Sequence, residues 1–542
     1  MSNRANSKVQ IANSKFLFSP FRFASPLWLT LALLVGLFYL AVSAWGFGFV
    51  GFPLDDAWIH QTYARNLAQS GQLAFTPGVP SAGSTAPLWT LLLSIGYLFG
   101  IPFQIWTYGL GMLLLGLTGA TMARLGQRLF PRNRVGLWIG LFCVFEWHLV
   151  WAAVSGMETM LFVWLSALLV ERYYAGWLDE STGKPVISNF YAIRSTQYVL
   201  GLGLLGGLLI LTRPEGLGLL GLLGLDMAYR SARQLGKLWR TWLWLALGAG
   251  LLLAPYILFH LWLTGQPLPN TFYAKQAEYR EILETYPLWW RLFGNFGRPV
   301  ESVQGVFRVI FTGSQILLLP GLGVAAWLTI RERRTVLLPI WLWWLSYLIL
   351  YAVSLPVTYQ HGRYQIPVLV WVILLGVWGT SRLFGVTSRR GLLLRASRSA
   401  LGVSIIVLAL AFDVLGAQAY GRDVRFIESE MVATARWLND HTQPDALIAA
   451  HDIGAIGYFT QRPLIDLAGL VTPEVIPIIR DEAALFDFLA ARRADYLVTF
   501  PSWYPQLTRH WSVWPRYSTN APWSAQLGSE NMTVYQLVWV RP

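Results

Sequence analysis

The chain has 542 residues, of which 55% are hydrophobic and 13% are charged, and its formal net charge is +13. Soluble domains carry about 25% charged residues, so this composition excludes an ordinary soluble domain and indicates a polytopic membrane protein. The positive charge does not indicate a nucleic-acid partner, because the basic residues lie in short clusters between apolar runs, as topology-setting loop charges do. With a single cysteine, Cys143, no intrachain disulfide can form.

The N-terminus is a polar, basic tail over residues 1–26, and we predict that it lies in the cytoplasm. The apolar run near 27–47 is too long for the core of a signal peptide, and no small-residue cleavage site follows it. This run is therefore predicted to be an uncleaved first span. It opens a transmembrane domain that we predict over residues 27–419.

The later apolar runs lie near 86–100, 103–123, 135–153, 157–171, 198–212, 215–229, 240–263, 305–330, 335–354, 365–381 and 399–419. Several are no longer than the roughly 17 residues that a span needs, so their length does not fix the topology. If 86–100 crossed the membrane, Arg124 and Arg128 would lie outside, and every later basic cluster would change sides as well. If it lies in the interface, all of them lie inside. We therefore predict about eleven spans, with interfacial helices in a first outer loop over 51–100.

This topology places most of the short polar motifs on the outer face and leaves basic, featureless loops inside. The asymmetry predicts a reaction or binding event at the outer leaflet of the cytoplasmic (inner or plasma) membrane. From residue 420 the composition changes to alternating helix-like and strand-like segments. We predict a small extracytoplasmic α/β domain over 420–542.

Asp55 and Asp56 follow the first span directly and open the outer loop. Two close carboxylates repel, so that one pKa rises and the pair can hold or relay a proton. The alternative is an N-cap for a helix predicted over 57–68, a position that Asp favours. Because carboxylates at a membrane boundary are costly and usually functional, we interpret the pair as catalytic.

Three outer cations, Arg213, Lys275 and Arg363, are candidates for binding the phosphate of a lipid-linked donor. A lipid-phosphate leaving group gains negative charge as its glycosidic bond breaks, and a nearby cation stabilises that charge. The alternative for Arg213 is a structural pair with Glu215. The alternative for Arg363 and Lys275 is snorkelling toward lipid headgroups.

The candidates for substrate binding are His60, Tyr63, Glu158, Glu215, His361 and Tyr364. Glu158 has the alternative of capping the helix that follows it. His60 and His361 do not stand in an H-x-x-x-H or comparable spacing, so no metal ligand is predicted from them. A divalent ion at Asp55 and Asp56 is left open, and no other cofactor is predicted.

The stretches DDAWI at 55–59, YARNL at 63–67 and GQLAFTPG at 71–78 resemble the first outer loop of a branch of the GT-C membrane glycosyltransferases. That branch includes the mycobacterial-type terminal arabinofuranosyltransferases; aminoarabinose transferases and protein O-mannosyltransferases are more distant relatives. Thr76 stands where the family has Asn, and Ala82 stands where it has Glu. Shorter matching motifs occur at 155–159, 213–216, 269–275, 362–364 and 454–470.

The resemblance implies a multi-span fold, a polyprenyl monophosphate sugar donor and an Asp of the first loop as base. Asp55 matches the family's first acidic position, which leaves Asp56 as its support. The predicted function is transfer of a pentofuranose or hexose, with inversion, to a hydroxyl of a glycan, lipid or protein acceptor. The reaction is predicted at the outer face of the membrane, where the chain also contacts membrane lipids. The alternatives are a lipid-linked-sugar flippase or transporter, which would carry charges in mid-span, and a receptor or scaffold acting through 420–542.

Overall fold

The computed structural model describes residues 26–131, 134–178, 195–230, 238–294, 305–386, 392–526 and 528–539. The predicted cytoplasmic tail lies outside the described residues up to residue 25, and Pro26 begins the first helix.

The membrane region and its loops are helical. In chain order the helices are α1 (Pro26–Val42), α2 (Asp56–Ser70), α3 (Pro87–Leu98), α4 (Phe103–Leu129), α5 (Val135–Val144), α6 (Trp147–Ala153), α7 (Thr159–Ala175), α8 (Thr196–Ile210), α9 (Gly216–Arg230), α10 (Leu238–Thr264), α11 (Asn270–Glu278), α12 (Arg280–Thr285), α13 (Leu288–Phe293), α14 (Val306–Val309), α15 (Leu319–Arg331), α16 (Leu338–Ser354), α17 (Tyr359–Gly362), α18 (Leu369–Val386) and α19 (Leu392–Ile427). Two short antiparallel strands, β1 (Ala74–Thr76) and β2 (Val79–Pro80), lie between α2 and α3.

The described residues include seven helices long and apolar enough to cross a membrane, or eight if α5 and α6, which meet at 55°, form one broken span. Three other predicted spans coincide with α7, α8 and α9, which have 17, 15 and 15 residues. The chain is therefore a multi-pass membrane protein, as its composition predicts. The number of about eleven spans stays a prediction.

The helix predicted near 86–100 is α3, which has 12 residues. It is about 18 Å long, shorter than the hydrocarbon core of about 30 Å. It packs against α2 of the same outer loop, while Leu91 and Leu98 on its other side are exposed. Its length and its apolar outer side agree with an interfacial helix that does not cross.

Small residues allow the spans to approach closely. A Cβ on Gly379 of α18 would lie 1.8 Å from the carbonyl oxygen of Gly321 in α15, and one on Gly203 of α8 would lie 2.4 Å from the carbonyl oxygen of Leu245 in α10. Contacts this short exclude any side chain at these crossings. Such small-residue packing is typical of membrane helices, because the hydrophobic effect does not drive helices together within lipid.

The C-terminal region contains α20 (Ala433–His441), β3 (Ile448–Ala450), α21 (Gly454–Thr460), β4 (Leu464–Asp466), α22 (Glu482–Arg492), β5 (Tyr496–Thr499), β6 (Val513–Ser518), α23 (Pro522–Gln526) and β7 (Thr533–Leu537). Its sheet has the order β4-β3-β5-β7-β6. β3 is parallel to β4 and β5, whereas β7 is antiparallel to β5 and β6. An apolar core that includes Leu485, Leu489 and Leu497 packs on this sheet.

The predicted domain boundary at residue 420 falls inside α19. The helix continues through a π-helical turn at Glu428–Val432 into α20. Glu430 is wholly buried in this turn and accepts hydrogen bonds from Asn531 Nδ2 at 2.8 Å and from the Met532 N–H at 2.7 Å. The C-terminal sheet is therefore joined to the last span by a continuous helix, and this buried carboxylate ties the two together.

Candidate active site

The Asp pair lies where α2 begins. Asp55 does not cap its own helix with its side chain. Its carboxylate instead accepts the Gly454 N–H at 2.6 Å and the Ala455 N–H at 2.8 Å, at the start of α21 and about 400 residues away in the chain. These two N–H groups have no partner within their own helix, and a carboxylate at a helix N-terminus is favourable. Asp55 thus joins the first outer loop to the C-terminal region.

Gly454 is required by this contact. A Cβ on Gly454 would lie 2.0 Å from the Asp55 carbonyl oxygen and 2.7 Å from its Oδ2. The G-x-x-G spacing of Gly454 and Gly457 that the sequence shows is therefore more than a turn signal. At Gly457 a Cβ would lie 2.3 Å from the Phe75 ring of the first outer loop.

Asp56 faces a different neighbour. Its carboxylate accepts a hydrogen bond from Arg363 Nη1, while Arg363 Nη2 donates to the Tyr364 hydroxyl at 2.9 Å. The Arg363 side chain is 7% exposed and the Asp56 side chain is 36% exposed. Arg363 Nε is buried and has no hydrogen-bond partner within the described residues. The guanidinium therefore retains one donor for a further acceptor.

Lys275 of α11 is the second cation of this group. Within the described part of the chain it makes no ion pair or hydrogen bond, and its Nζ lies 5.9 Å from the centre of the Tyr279 ring. The Tyr279 hydroxyl lies 2.8 Å from that of Tyr359, and Arg363 stacks 5.8 Å from the Tyr359 ring. Together these residues form a cationic, tyrosine-lined group beside Asp56, which we call the Arg363 cluster (Asp56, Lys275, Tyr279, Tyr359, Arg363 and Tyr364).

The two adjacent carboxylates differ in acidity. Burial raises the pKa of Asp55 to about 7, the two backbone N–H groups oppose this rise, and the charge of Asp56 adds to it. Burial also acts to raise the pKa of Asp56, but the positive charges of Arg363 and Lys275 outweigh it, so that this pKa lies below its ordinary value. At neutral pH, Asp56 is ionised and Asp55 is close to its midpoint, which suits a group that exchanges protons.

A second group of acidic and basic side chains lies nearby, and its members are buried against one another. Glu158 accepts a hydrogen bond from Arg213 Nε at 2.6 Å and lies 3.2 Å from His60 Nε2, and Arg213 Nη2 donates to Thr159 at 3.2 Å. The side chains of Glu158, Arg213 and His60 are only 6–8% exposed. Burial acts to raise the pKa of Glu158, but Arg213 and His60 hold it below its ordinary value. We call this the Arg213 cluster (His60, Glu158, Thr159 and Arg213).

Tyr364 connects the two clusters. Its ring lies 4.8 Å from the guanidinium of Arg363 and 5.9 Å from that of Arg213. It also stacks on Tyr351, whose hydroxyl donates to Glu215. Glu215 is therefore paired with a tyrosine, and the partner of Arg213 is Glu158, not Glu215. The alternative of an Arg213–Glu215 structural pair is not what the fold forms.

Two other predicted residues lie outside these clusters. Tyr63 is wholly buried, and its hydroxyl lies 2.6 Å from Ser81 Oγ within the first outer loop. His361 lies in the left-handed region with a φ of 59°, and its Nε2 is 2.8 Å from Asp423 of α19. This contact holds the turn that presents Arg363, because a left-handed non-glycine residue must be held by its surroundings. The substrate-binding roles of Tyr63 and His361 stay predictions.

Sequence patterns do not single out Asp423 or Asp452. Asp423 binds His361 and also accepts the Trp151 indole N–H at 3.0 Å. Asp452 stands two residues before Gly454, and the sequence gives only the short segment His451–Tyr458 as a signal. Neither residue could be assigned to the site without the long-range contacts that bring α19 and α21 to the first loop.

No group of three or more His, Cys, Asp or Glu residues suited to a metal ion occurs within the described ranges. The partners of the Asp pair are the guanidinium of Arg363 on one side and two backbone N–H groups on the other. A divalent ion at Asp55 and Asp56 remains an alternative that chelation can test.

The fold is similar to that of ArnT from Cupriavidus metallidurans in the apo state, with a TM-score of 0.57 and 16% identity over 95% of this chain and 98% of that chain. It is also similar to ArnT bound to undecaprenyl phosphate, with a TM-score of 0.53 and 16% identity over 94% and 97% of the two chains. Both are GT-C glycosyltransferases. The chain has the GT-C fold.

A third GT-C structure is similar: the archaeal oligosaccharyltransferase AglB from Archaeoglobus fulgidus in complex with an inhibitory peptide and a dolichol-phosphate. Its TM-score is 0.51, with 12% identity over 86% of this chain and 69% of that chain. Residues 419–535 match a family described as a domain of unknown function (DUF8728). No protein of curated function matches the sequence. The GT-C fold thus confirms the resemblance read from the first outer loop, at the level of the fold.

Proposed function

We propose that this chain is an inverting membrane glycosyltransferase that moves a sugar from a polyprenyl monophosphate donor to an acceptor hydroxyl. The reaction takes place at the outer face of the cytoplasmic membrane, with the N-terminus in the cytoplasm and the C-terminal region outside. The observation that carries the proposal is the Arg363 cluster, in which two cations lie beside the Asp pair at the edge of an apolar helix bundle.

The cations supply what a lipid phosphate needs. Arg363 is buried, keeps its Nε unpartnered within the described residues, and is held in place by Asp56 and Tyr364. Lys275 adds a positive charge, since its neighbours raise its pKa above the ordinary value despite its burial. Two solved structures of the same fold hold undecaprenyl phosphate and a dolichol-phosphate. A lipid phosphate entering from the outer leaflet would therefore meet a charged, partly desolvated site, where charge stabilisation is strongest.

The closed Arg213 cluster supports a different role. Glu158 neutralises Arg213 as Asp56 neutralises Arg363, but only the Arg363 cluster has a second cation, Lys275, without an ion-pair partner within the described residues. The Arg213 cluster therefore offers less positive charge to a phosphate. Its Nη1 and the Nδ1 of His60 are buried and unpartnered within the described residues. We assign these two nitrogens to hydroxyls of the transferred sugar, and we keep Arg213 as the second choice for the phosphate.

Asp55 acts as the base in this proposal. Its carboxylate accepts the proton of the acceptor hydroxyl as that oxygen attacks the anomeric carbon, and the bond from this carbon to the phosphate oxygen breaks. The electron pair of that bond remains on the phosphate, where Arg363 and Lys275 stabilise the charge. A single displacement inverts the anomeric configuration. Asp56 keeps Arg363 oriented and, by its charge, keeps Asp55 basic.

The test is transfer by the full-length protein in lipid nanodiscs, with a panel of undecaprenyl-phosphate pentoses and hexoses as donors. Asp55→Asn should lower the transfer rate about 10²–10⁴-fold, the usual contribution of a general base, while undecaprenyl-phosphate binding stays unchanged. Asp445→Asn, at an exposed position of the C-terminal region, is the matched control and should keep full activity.

Other outcomes would change the assignment. An active Asp55→Asn enzyme together with an inactive Asp56→Asn enzyme would move the base to Asp56. Loss of donor binding in Asp55→Asn would show that this residue acts through its contact with α21. Loss of transfer on chelation, restored by a divalent ion, would favour the metal at the Asp pair.

A further inference from the structure

Three loops of the C-terminal sheet lie at one edge, and the loop after β3 contacts Asp55. Because β3 is parallel to both β4 and β5, the carboxyl ends of all three strands meet at the same edge. His451 and Asp452 follow β3 directly, and the turn with Trp503 follows β5. In open α/β sheets, ligands bind at the carboxyl ends of parallel strands. This edge also carries Gly454 and Ala455, the N–H donors to Asp55.

Trp503 provides an aromatic surface at this edge. Its side chain is 47% exposed, although the ring is fixed by contacts with His451 at 4.9 Å and with Phe500 at 5.0 Å between ring centres. The N–H of the preceding residue, Ser502, donates to Glu530 at 2.6 Å and holds the turn. A large aromatic ring that is both held and open has area available for stacking.

Polar groups surround this ring. His451 Nδ1 lies 2.9 Å from the Tyr504 hydroxyl, and its Nε2 has no hydrogen-bond partner within the described residues. The Asp452 carboxylate likewise has neither a hydrogen bond nor an ion pair there. Burial raises the pKa of Asp452 well above its ordinary value, and the charges of Asp55 and Asp56 raise it further. An aromatic face bordered by unpartnered donors and acceptors is suited to a sugar ring, which has apolar faces and hydroxyls at its rim.

The aromatic surface of Trp503 and the polar groups around it lie close to Asp55, the proposed base. His451 stands three residues before Gly454, so that their Cα atoms are at most about 10 Å apart. The Gly454 nitrogen is 2.6 Å from the Asp55 carboxylate. A short oligosaccharide covers this interval. Its terminal hydroxyl can therefore reach Asp55 while an inner ring lies on Trp503.

We propose that His451, Asp452 and Trp503 form an acceptor subsite and that the acceptor is a saccharide, with Trp503 stacking on a ring next to the one that receives the new sugar. This inference rests on the proposed transferase function and specifies its acceptor class. It gives the C-terminal region the task of holding the acceptor, while the membrane region holds the donor.

The first experiment measures binding without transfer. The full-length protein in nanodiscs is titrated by calorimetry with mannotriose, maltotriose, galactotriose and an arabinotriose. At least one trisaccharide should bind, and Trp503→Ala should weaken its affinity about tenfold, as loss of a central aromatic contact does, with partial recovery in Trp503→Phe. Trp514→Ala is the matched control and should bind like the wild type. Trp514 is 58% exposed on β6, at the far edge of the same sheet.

The second experiment uses the donor that supports transfer. Trp503→Ala should raise the KM for the saccharide acceptor about tenfold and leave the KM for the donor unchanged. An altered donor KM with an unchanged acceptor KM would overturn the subsite and place Trp503 in the membrane interface, where tryptophans are enriched. Peptide binding without saccharide binding would also overturn it, and so would equal effects of Trp503→Ala and Trp514→Ala.

The two proposals fail in different ways. If no polyprenyl-phosphate sugar is used but a trisaccharide binds in a Trp503-dependent manner, the transferase function is wrong and the saccharide site stands. If transfer occurs to an acceptor whose KM does not depend on Trp503, the transferase function stands and the subsite is wrong.

Discussion

The Arg363 cluster and the Arg213 cluster lie side by side, and each pairs an arginine with a carboxylate. They differ in how far the carboxylate is exposed and in whether a further cation is present. In the first, the carboxylate of Asp56 is 36% exposed, and Lys275 has no ion-pair partner within the described residues. In the second, Glu158 is 6% exposed and lies against both Arg213 and His60. The open cluster has positive charge to offer an incoming anion, whereas the closed cluster has already satisfied its own.

The difference shows that the role of an arginine at the membrane boundary depends on which charged groups surround it. Sequence alone makes both Arg363 and Arg213 candidates for the phosphate, with Arg363 as the first choice. A buried ion pair whose members are hydrogen-bonded holds a fold in register, and removal of one member leaves an uncompensated charge. A cation without an ion-pair partner within the described residues, such as Lys275, retains its charge for a ligand.

Arg213→Ala should reduce the stability of the folded protein most. It leaves Glu158 buried beside His60 alone, and removing one member of a buried pair costs about 3–5 kcal/mol. The measurement is thermal unfolding in detergent, followed by tryptophan fluorescence. The double variant Arg213→Met with Glu158→Gln removes both charges and should recover most of the loss. A fully stable Arg213→Ala protein that binds undecaprenyl phosphate less tightly would place the phosphate in this cluster.

Arg363→Ala should instead lower activity more than stability. Loss of one group that stabilises the developing charge lowers the rate about 10²–10³-fold. The loss of stability should be small, because the partly exposed carboxylate of Asp56 can be solvated by water. Initial rates and melting temperatures of the same preparation provide the two readouts. Arg363→Lys keeps the charge without the guanidinium geometry and should lie between the wild type and Arg363→Ala. Equal transfer rates in all three proteins would contradict the phosphate role.

The transfer rate should rise with pH through the pKa of Asp55, which is about 7. A base is active when deprotonated, so the rate should fall about fivefold between pH 7 and pH 6 and approach a tenfold fall per pH unit below that. Asp56, whose pKa lies below its ordinary value, stays ionised over this interval. Asp56→Asn removes a charge that raises the pKa of Asp55 and should move the rising limb to lower pH. A rate that is constant over this range would remove Asp55 as the titrating base.

Much of the fold follows from local sequence patterns. Composition and loop charges indicate the multi-pass architecture, and the arginines at 124 and 128 indicate that α3 does not cross. The change in pattern after residue 420 indicates the C-terminal helices and strands. These features depend on hydrophobicity and charge over short windows, which a sequence displays directly.

The pairings within the site could not be predicted in this way. Asp55 is separated from Gly454 by 399 positions, Asp56 from Arg363 by 307 and Glu158 from Arg213 by 55. Each contact depends on how the helices pack, and no spacing rule encodes it. The acidic pair could be recognised as unusual, but which carboxylate meets an arginine and which meets a helix terminus is a tertiary property.

The helix from Gly402 to His441 has one further consequence. It rises about 60 Å, of which about 30 Å is needed to traverse lipid. The remaining length extends beyond the lipid, and the buried Glu430 holds the C-terminal sheet against it. Under the proposed function, an acceptor saccharide held at the sheet would be presented at a fixed distance from the bilayer surface.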